Sequence, residues 1–342
     1  ERLQTGGMAE IYLARRPGAS GVSKFLAIKR ILPQFSDQHE FIEMFKDEAK
    51  IAVNLSHANV VSIYEFGLEK NSFFLAMDYI EGLSLTALIE KNGSLPAPCA
   101  ASIIHQAADA LGVAHDYGIV HRDLKPANIM IARNRDGSDM VKVVDFGIAK
   151  ASTSDAQKVT KTGLVVGTPE YMSPEQLAGD QLDGRSDIYS LGLVAFNCLT
   201  GKLPFPSNSA QEAMIMRLTD QPKKLAEMKP DGQWSAELQG VMDKALARDA
   251  NERYQTAPEF GRDMTRAVEK MPATVVADMG TMVISANAAA VPATRVASPA
   301  EKSPASAATT GAAATARNQG TDAAVPASKN ESRSLEIGRA HV

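Results

Sequence analysis

The residues best suited to chemistry sit in His121-Arg122-Asp123-Leu124-Lys125-Pro126-Ala127-Asn128 and in Asp145-Phe146-Gly147, which follows the β-like run Val141-Lys142-Val143-Val144. Asp123 and Asp145 are carboxylates, able to take a proton or to hold a hard cation. Asn128, five residues after Asp123, offers a neutral oxygen ligand beside the charged one of Asp145. Such an oxygen pair suits Mg2+, which prefers one or two protein carboxyl-type ligands and completes its shell with water or phosphate. Lys125 adds a cation within the same loop.

A second cation stands in Leu26-Ala27-Ile28-Lys29. The amphipathic stretch that follows, over 37–55, predicts a helix whose apolar stripe is Phe41, Phe45, Ala52 and Leu55. Glu48 falls inside that stripe rather than opposite it, and a carboxylate there is costly without a partner.

The elements that must position these groups divide the chain in two. Up to about Tyr79 short apolar runs alternate with turn signals around the single long helix, which predicts a small sheet with one helix. From about Leu85 to Lys270 the spacing is helical, with helices expected over 97–117, 186–200, 236–248 and 257–269, the last opened by a Thr256-x-x-Glu259 capping box. Residues 271–342 are Ala, Pro, Ser and Thr in irregular order, a composition that cannot bury enough apolar surface to offset chain entropy and predicts disorder. Within it, 337–342 reads like translated adapter sequence and is set aside.

Composition excludes several classes of function. A hydrophobic fraction of 44% and a charged fraction of 22% are those of a globular protein, and a net charge of -4 leaves no basic footprint for nucleic acid. No apolar run reaches the ~18 residues of a membrane span. Cys99 and Cys198 have no metal-ligand spacing and form no disulfide framework, so a reducing compartment is expected. His57, His105 and His115 lack metal-like companions and need no special role.

The loop 121–128 with its second acidic motif resembles the signature of eukaryotic-type bacterial serine/threonine protein kinases, and the resemblance covers about 1–270. It implies an α+β fold of two lobes, a sheet-rich amino lobe over 1–80 and a helical carboxyl lobe over 81–270, with ATP between them. It also implies transfer of phosphate from ATP, with Mg2+, to serine or threonine hydroxyls of proteins. Asp123 is then the base for the substrate hydroxyl, Lys125 the neighbour of the γ-phosphate, and Asn128 and Asp145 the metal ligands. Lys29 is implied to hold the α- and β-phosphates while paired with Glu48. Gly6 and Gly7 cover the phosphates, in a loop Gln4-Thr5-Gly6-Gly7-Met8-Ala9 that keeps the middle glycine of the family pattern and replaces both outer ones. That alignment puts Glu1 inside the first strand, so residues are expected to precede it. Ile11 and Ala27 line the adenine site, Met77 is the gatekeeper, and Asp78 and Ile80 supply backbone groups to adenine.

The same resemblance makes 167–175 the peptide-docking segment, with Ser173 in place of the usual alanine. Thr168 then marks serine/threonine specificity, Asp187 braces the catalytic loop, and Arg253 pairs with Glu175. Arg122 and Lys150 form a basic pocket awaiting an anion, and Thr162 and Thr160 are the expected sites of autophosphorylation in trans, through a transient homodimer. The domain is expected in the cytoplasm, any membrane anchor lying beyond the tail. A rival on the same fold is a pseudokinase scaffold that binds partners without catalysis. Lys29, Glu48, Asp123, Asn128 and Asp145 argue against it, and only the altered glycine loop argues for it.

Overall fold

The computed structural model describes residues 1–6, 9–17, 23–32, 35, 39, 42–43, 45–46, 55–69, 72–146 and 169–272. Gly7, Glu48, Lys150, Thr160, Thr162, Thr168 and the tail beyond 272 lie outside them.

The amino-terminal part is a five-stranded antiparallel sheet in the order β1-β2-β3-β5-β4, made of β1 (Arg2–Thr5), β2 (Ala9–Pro17), β3 (Ser23–Ile31), β4 (Ile63–Glu69) and β5 (Ser72–Asp78). The period of two along β3 sets Ala27, Lys29 and Ile31 on one face. Ala27 and Ile31 are buried there with Phe45, Val61, Leu75 and Met77, and Ile11 and Ile80 pack against the cluster. Lys29 is therefore carried on the apolar side of the strand rather than toward solvent.

The carboxyl-terminal part is helical: α1 (Leu85–Asn92), α2 (Ala97–Asp116), α3 (Pro174–Ala178), α4 (Gly184–Thr200), α5 (Ala210–Thr219), α6 (Leu225–Met228), α7 (Ala236–Ala245) and α8 (Ala257–Glu269). Its centre is α2, whose Ala100, Ala107, Ala108, Ala110 and Ala114 are fully buried. Small side chains let α4 and α8 approach closely, and a Cβ on Gly261 of α8 would come 2.9 Å from that of Ala108. The long α4 is buried at nearly every position from Ser186 to Leu199. It ends at Gly201, whose φ of 74° and close approach to the Gly93 carbonyl exclude any side chain.

Three details depart from the sequence reading. A small sheet, β6 (Gly82–Ser84), β7 (Ile129–Arg133) and β8 (Asp139–Val143), lies within the helical part, and of its strands only β8 was read, as the β-like run at 141–144. Helix α7 stops at Ala245 rather than 248: the Ala247 N–H turns to the Lys244 carbonyl three residues back, and the carbonyls of Ala247 and Arg248 are satisfied by the buried Arg253 at 2.7 and 2.8 Å. The capping box expected at Thr256 does not form: Thr256 makes no side-chain cap bond, and Pro258 at the second helical position has no N–H to offer.

Candidate active site

The loop 121–128 leaves α2 and is anchored from below by one buried carboxylate. Asp187, near the start of α4, accepts the N–H of His121 at 2.7 Å and that of Arg122 at 2.9 Å, and His115 Nε2 lies 2.8 Å from its Oδ2. His115 thus has a partner that the sequence reading missed, because the two residues are 72 positions apart.

His121 is completely buried, and burial pushes its pKa below the usual imidazole value. Its contacts fit the neutral ring. Nδ1 accepts the Asp123 N–H at 3.3 Å, so the proton sits on Nε2, which donates to the Val144 carbonyl at 3.1 Å. The ring also stands 4.7 Å from that of Phe146. The loop 121–128 and the Asp145-Phe146 segment are thereby fastened to each other.

Around Asp123 the polar groups converge. Lys125 Nζ lies 2.8 Å from Asp123 Oδ2, and Asn128 Nδ2 donates to the Asp123 carbonyl at 2.9 Å while lying 3.4 Å from Oδ2. Asn128 stands immediately before β7, and its carbonyl accepts the Val144 N–H at 3.0 Å, which brings β8 and Asp145 alongside. From the sheet above, Lys29 Nζ reaches Asp145 Oδ1 at 3.1 Å. Arg122 (φ 65°) and Asp145 (φ 55°) are the two non-glycine residues among those described with left-handed backbone, a conformation that persists where surroundings impose it and gathers at functional sites.

The segment joining sheet and helices is held from outside. Met77 is buried opposite Ala27, and the Asp78 N–H donates to the Ser62 carbonyl at 3.0 Å. The Asp78 carboxylate meets Lys24 Nζ at 3.0 Å and the Tyr64 hydroxyl. Burial alone would raise the pKa of Asp78, but these two donors outweigh it and hold it below the usual carboxylate value. At the other edge, Gly6 N–H donates to the Ala9 carbonyl at 2.8 Å, and a Cβ there would press on the same oxygen at 3.3 Å.

Beyond the loop, residues 169–175 are pinned from several sides. The buried Arg217 donates to the carbonyls of Pro169 and Met172, and Ser190 Oγ donates to that of Tyr171 at 2.8 Å. Arg253 grips both oxygens of Glu175 at 2.7 and 2.8 Å. The Arg122 guanidinium makes no hydrogen bond or ion pair among the described residues.

The profile of the protein kinase domain family matches residues 1–262. The chain belongs to that family. This kinase domain is 37% identical over 268 residues to the serine/threonine-protein kinase pkn3 of Myxococcus xanthus, covering 78% of this chain and 48% of that protein. It is 37% identical over 273 residues to PknB of Mycobacterium tuberculosis, covering 78% and 42%, and 38% identical over 264 residues to PrkC of Bacillus subtilis, covering 77% and 39%. The chain therefore spans half or less of the length of these relatives. Among solved structures, the crystal structure of the M. tuberculosis PknI kinase domain aligns with a TM-score of 0.60 at 29% identity, over 78% of this chain and 94% of that one. The fold is that of protein kinases, sheet-rich toward the amino terminus and helical beyond, as the signature residues imply. No helix among the described residues is long and apolar enough to cross a membrane.

Proposed function

We propose that this domain, over about 1–270, transfers the terminal phosphoryl group of ATP to serine and threonine hydroxyls of proteins. The observation that carries the reading is the convergence on one place of Lys29 from the sheet, Asp145 after β8, and the trio Asp123, Lys125 and Asn128. Each of these residue types answers a need of phosphoryl transfer, which is mostly alignment and neutralisation of charge. A scaffold without catalysis has no need of the set.

The donor set fits Mg2+. Asp145 and Asn128 offer hard oxygens, the kind of ligand Mg2+ takes in ones or twos while phosphate and water fill the rest of its shell. When bound, the ion neutralises phosphate charge. Lys29 holds the nucleotide phosphates through its ammonium, and Gly6 and Gly7 let the covering loop lie close over them, its turn closed by the Gly6 N–H on the Ala9 carbonyl. Ile11, Ala27 and Met77 pack the base, and the carbonyl of Asp78 and amide of Ile80 orient it. Asp123 orients the substrate hydroxyl and receives its proton as the new oxygen–phosphorus bond forms, and the bond to the leaving ADP oxygen breaks. Lys125 sets positive charge beside the transferred group.

Two further parts of the reading concern residues outside those described. Glu48 is assigned as partner of Lys29, on its place in an apolar helix stripe. Thr160 and Thr162 are assigned as autophosphorylation sites that would draw on Arg122 and Lys150, with a transient homodimer carrying out the transfer in trans. The similarity to pkn3, PknB and PrkC, each a serine/threonine-protein kinase by name, supports serine/threonine substrates, and the cytoplasm is assigned to the domain on its cysteine usage alone.

The test is incubation of the purified chain with radiolabelled ATP and Mg2+, with a generic basic protein as acceptor. Phosphoserine and phosphothreonine are expected, and Asp123→Asn is expected to abolish transfer while nucleotide still binds. Transfer by Asp123→Asn at the parental rate, or mainly phosphotyrosine, would overturn the assignment.

A further inference from the structure

Arg122 is held in a left-handed conformation, φ 65°, disfavoured for any residue with a Cβ. Both backbone polar groups of this residue are taken by side chains from distant elements. Its N–H donates to Asp187 Oδ1 of α4 at 2.9 Å. Its carbonyl accepts from Gln176 Nε2 of α3 at 2.8 Å, a contact spanning 54 residues.

Gln176 is at the same time half of a capping box. Its Oε1 accepts the Ser173 N–H at 2.9 Å, and its own N–H donates to Ser173 Oγ at 3.3 Å. These partners settle how the amide lies, because turning it over would set donor against donor at Ser173 and oxygen against oxygen at Arg122. Capping alone does not call for an amide. Glutamate serves equally well as the third helical residue of a capping box. What glutamate lacks is the donor that meets Arg122.

The Arg122 carbonyl belongs to the same rigid peptide unit as the Asp123 N–H. That unit is gripped at both ends, by Gln176 at the oxygen and by the His121 carbonyl at the nitrogen, 2.9 Å away. A shift of α3 therefore turns the peptide that carries Asp123. Helix α3 itself continues from 169–173, the segment pinned by Arg217 and Ser190.

We propose that Gln176 is a positioning residue for phosphoryl transfer, joining the 169–178 segment to the peptide unit of Asp123 through Nε2. The proposal rests on the kinase reading above. It makes the alignment of the base depend on the seating of the docking segment, so its loss falls on the transfer step rather than on ATP binding.

Gln176→Glu separates the two jobs of the side chain, keeping the cap and removing the donor, whereas Gln176→Ala removes both. In Gln176→Glu the cap survives but the Arg122 carbonyl loses its donor and meets an oxygen, so melting is expected to fall by about 3–8 °C while unfolding stays a single cooperative transition. Amide hydrogen exchange of peptides covering 119–128 should quicken about tenfold, since local opening is no longer restrained. The kcat for a protein acceptor should drop about tenfold or more, with the KM for ATP changed less than about twofold, as misplacement of a catalytic group predicts. Parental exchange or parental kcat in Gln176→Glu overturns the proposal, as does impairment confined to Gln176→Ala, which would show that only the cap matters. A parental chain that transfers no phosphate sinks the kinase reading and the proposal with it, whereas an active parent matched by an active Gln176→Glu sinks the proposal alone.

Discussion

Lys29 Nζ stands 3.1 Å from Asp145 Oδ1, joining the sheet to the residue that follows β8 across 116 positions of sequence. The lysine side chain is only 15% exposed and the carboxylate 33%, so the pair is better shielded from solvent than an ordinary surface ion pair. Replacement by methionine keeps the length of the stem and removes the charge. Lys29→Met is expected to lower kcat/KM for ATP by about 100-fold or more, the scale seen when one charge-stabilising group is removed. Steady-state kinetics over a range of ATP concentrations check this, and a loss under about threefold would remove Lys29 from the phosphate site.

Arg253 is buried to its guanidinium and paired through two hydrogen bonds with Glu175. It also donates to the carbonyls of Arg185, Ala247 and Arg248. Arg253→Met strands the Glu175 carboxylate and leaves those carbonyls without their donor, which is expected to cost about 3–5 kcal/mol. Urea titration of the two proteins measures the difference. A cost below about 1 kcal/mol would mean that the pair contributes no more than a surface one.

Stability should fall toward acid in two stages. Burial alone would raise the pKa of Glu175, but the Arg253 bonds outweigh it and hold the group below its ordinary value of 4.5. Burial holds His121 below its ordinary 6.5. In each case the unfolded chain binds the proton more readily, so stability rises with pH between the folded and unfolded pKa. The His121 contribution is intact above 6.5 and erodes as pH falls below it, and that of Glu175 is intact above 4.5 and erodes below. Thermal melts from pH 8 downward should show both stages. Glu175→Gln should be less stable than the parent at neutral pH, and the gap should close below 4.5, whereas a constant gap would separate Glu175 from the acid stage.

What could be read from sequence was what is local. The loop 121–128 carries its types and spacing within eight residues, and the strand period alone places Lys29 beside Ala27 and Ile31. The Glu175–Arg253 pair was legible only through family resemblance, since 78 residues separate the two. No pattern announced that His115 meets Asp187, or that Gln176 reaches Arg122, because the first contact joins two helices and the second a helix to the loop 121–128, and their mutual placement is a property of packing. Strand β8 overlaps the β-like run at 141–144, whereas β6 and β7, with three and five residues, are too short to show a period against a helical background. Helix ends failed for a related reason, as at α7, where the carbonyls beyond the last turn are satisfied by Arg253, a residue that the helical period does not reach.

Asp78, Lys24 and Tyr64 form a clasp on the outer side of the segment that is proposed to meet adenine. Lys24 Nζ lies 3.0 Å from the Asp78 carboxylate and 4.3 Å from the Tyr64 ring centroid, and the Tyr64 hydroxyl donates to the same carboxylate. Beside it, Phe25 sets its ring edge-on to Tyr79 at 6.4 Å. Strands β3 and β4 thus grip the segment through side chains while its backbone is left to recognise a ligand. Lys24 is 58% exposed, which limits an ion pair there to ~0–1 kcal/mol, a factor of about five at most. Tyr64→Phe keeps the ring under the ammonium and removes only the hydroxyl. It is expected to raise the KM and Kd for ATP by about twofold to fivefold with kcat unchanged, the pattern of lost uniform binding. Calorimetric titration with ATP and steady-state kinetics on the same preparation decide it. An equal fall in kcat and kcat/KM would place the clasp in the transfer step instead, and unchanged values would mean that the segment keeps its position on backbone contacts such as the Asp78 to Ser62 hydrogen bond.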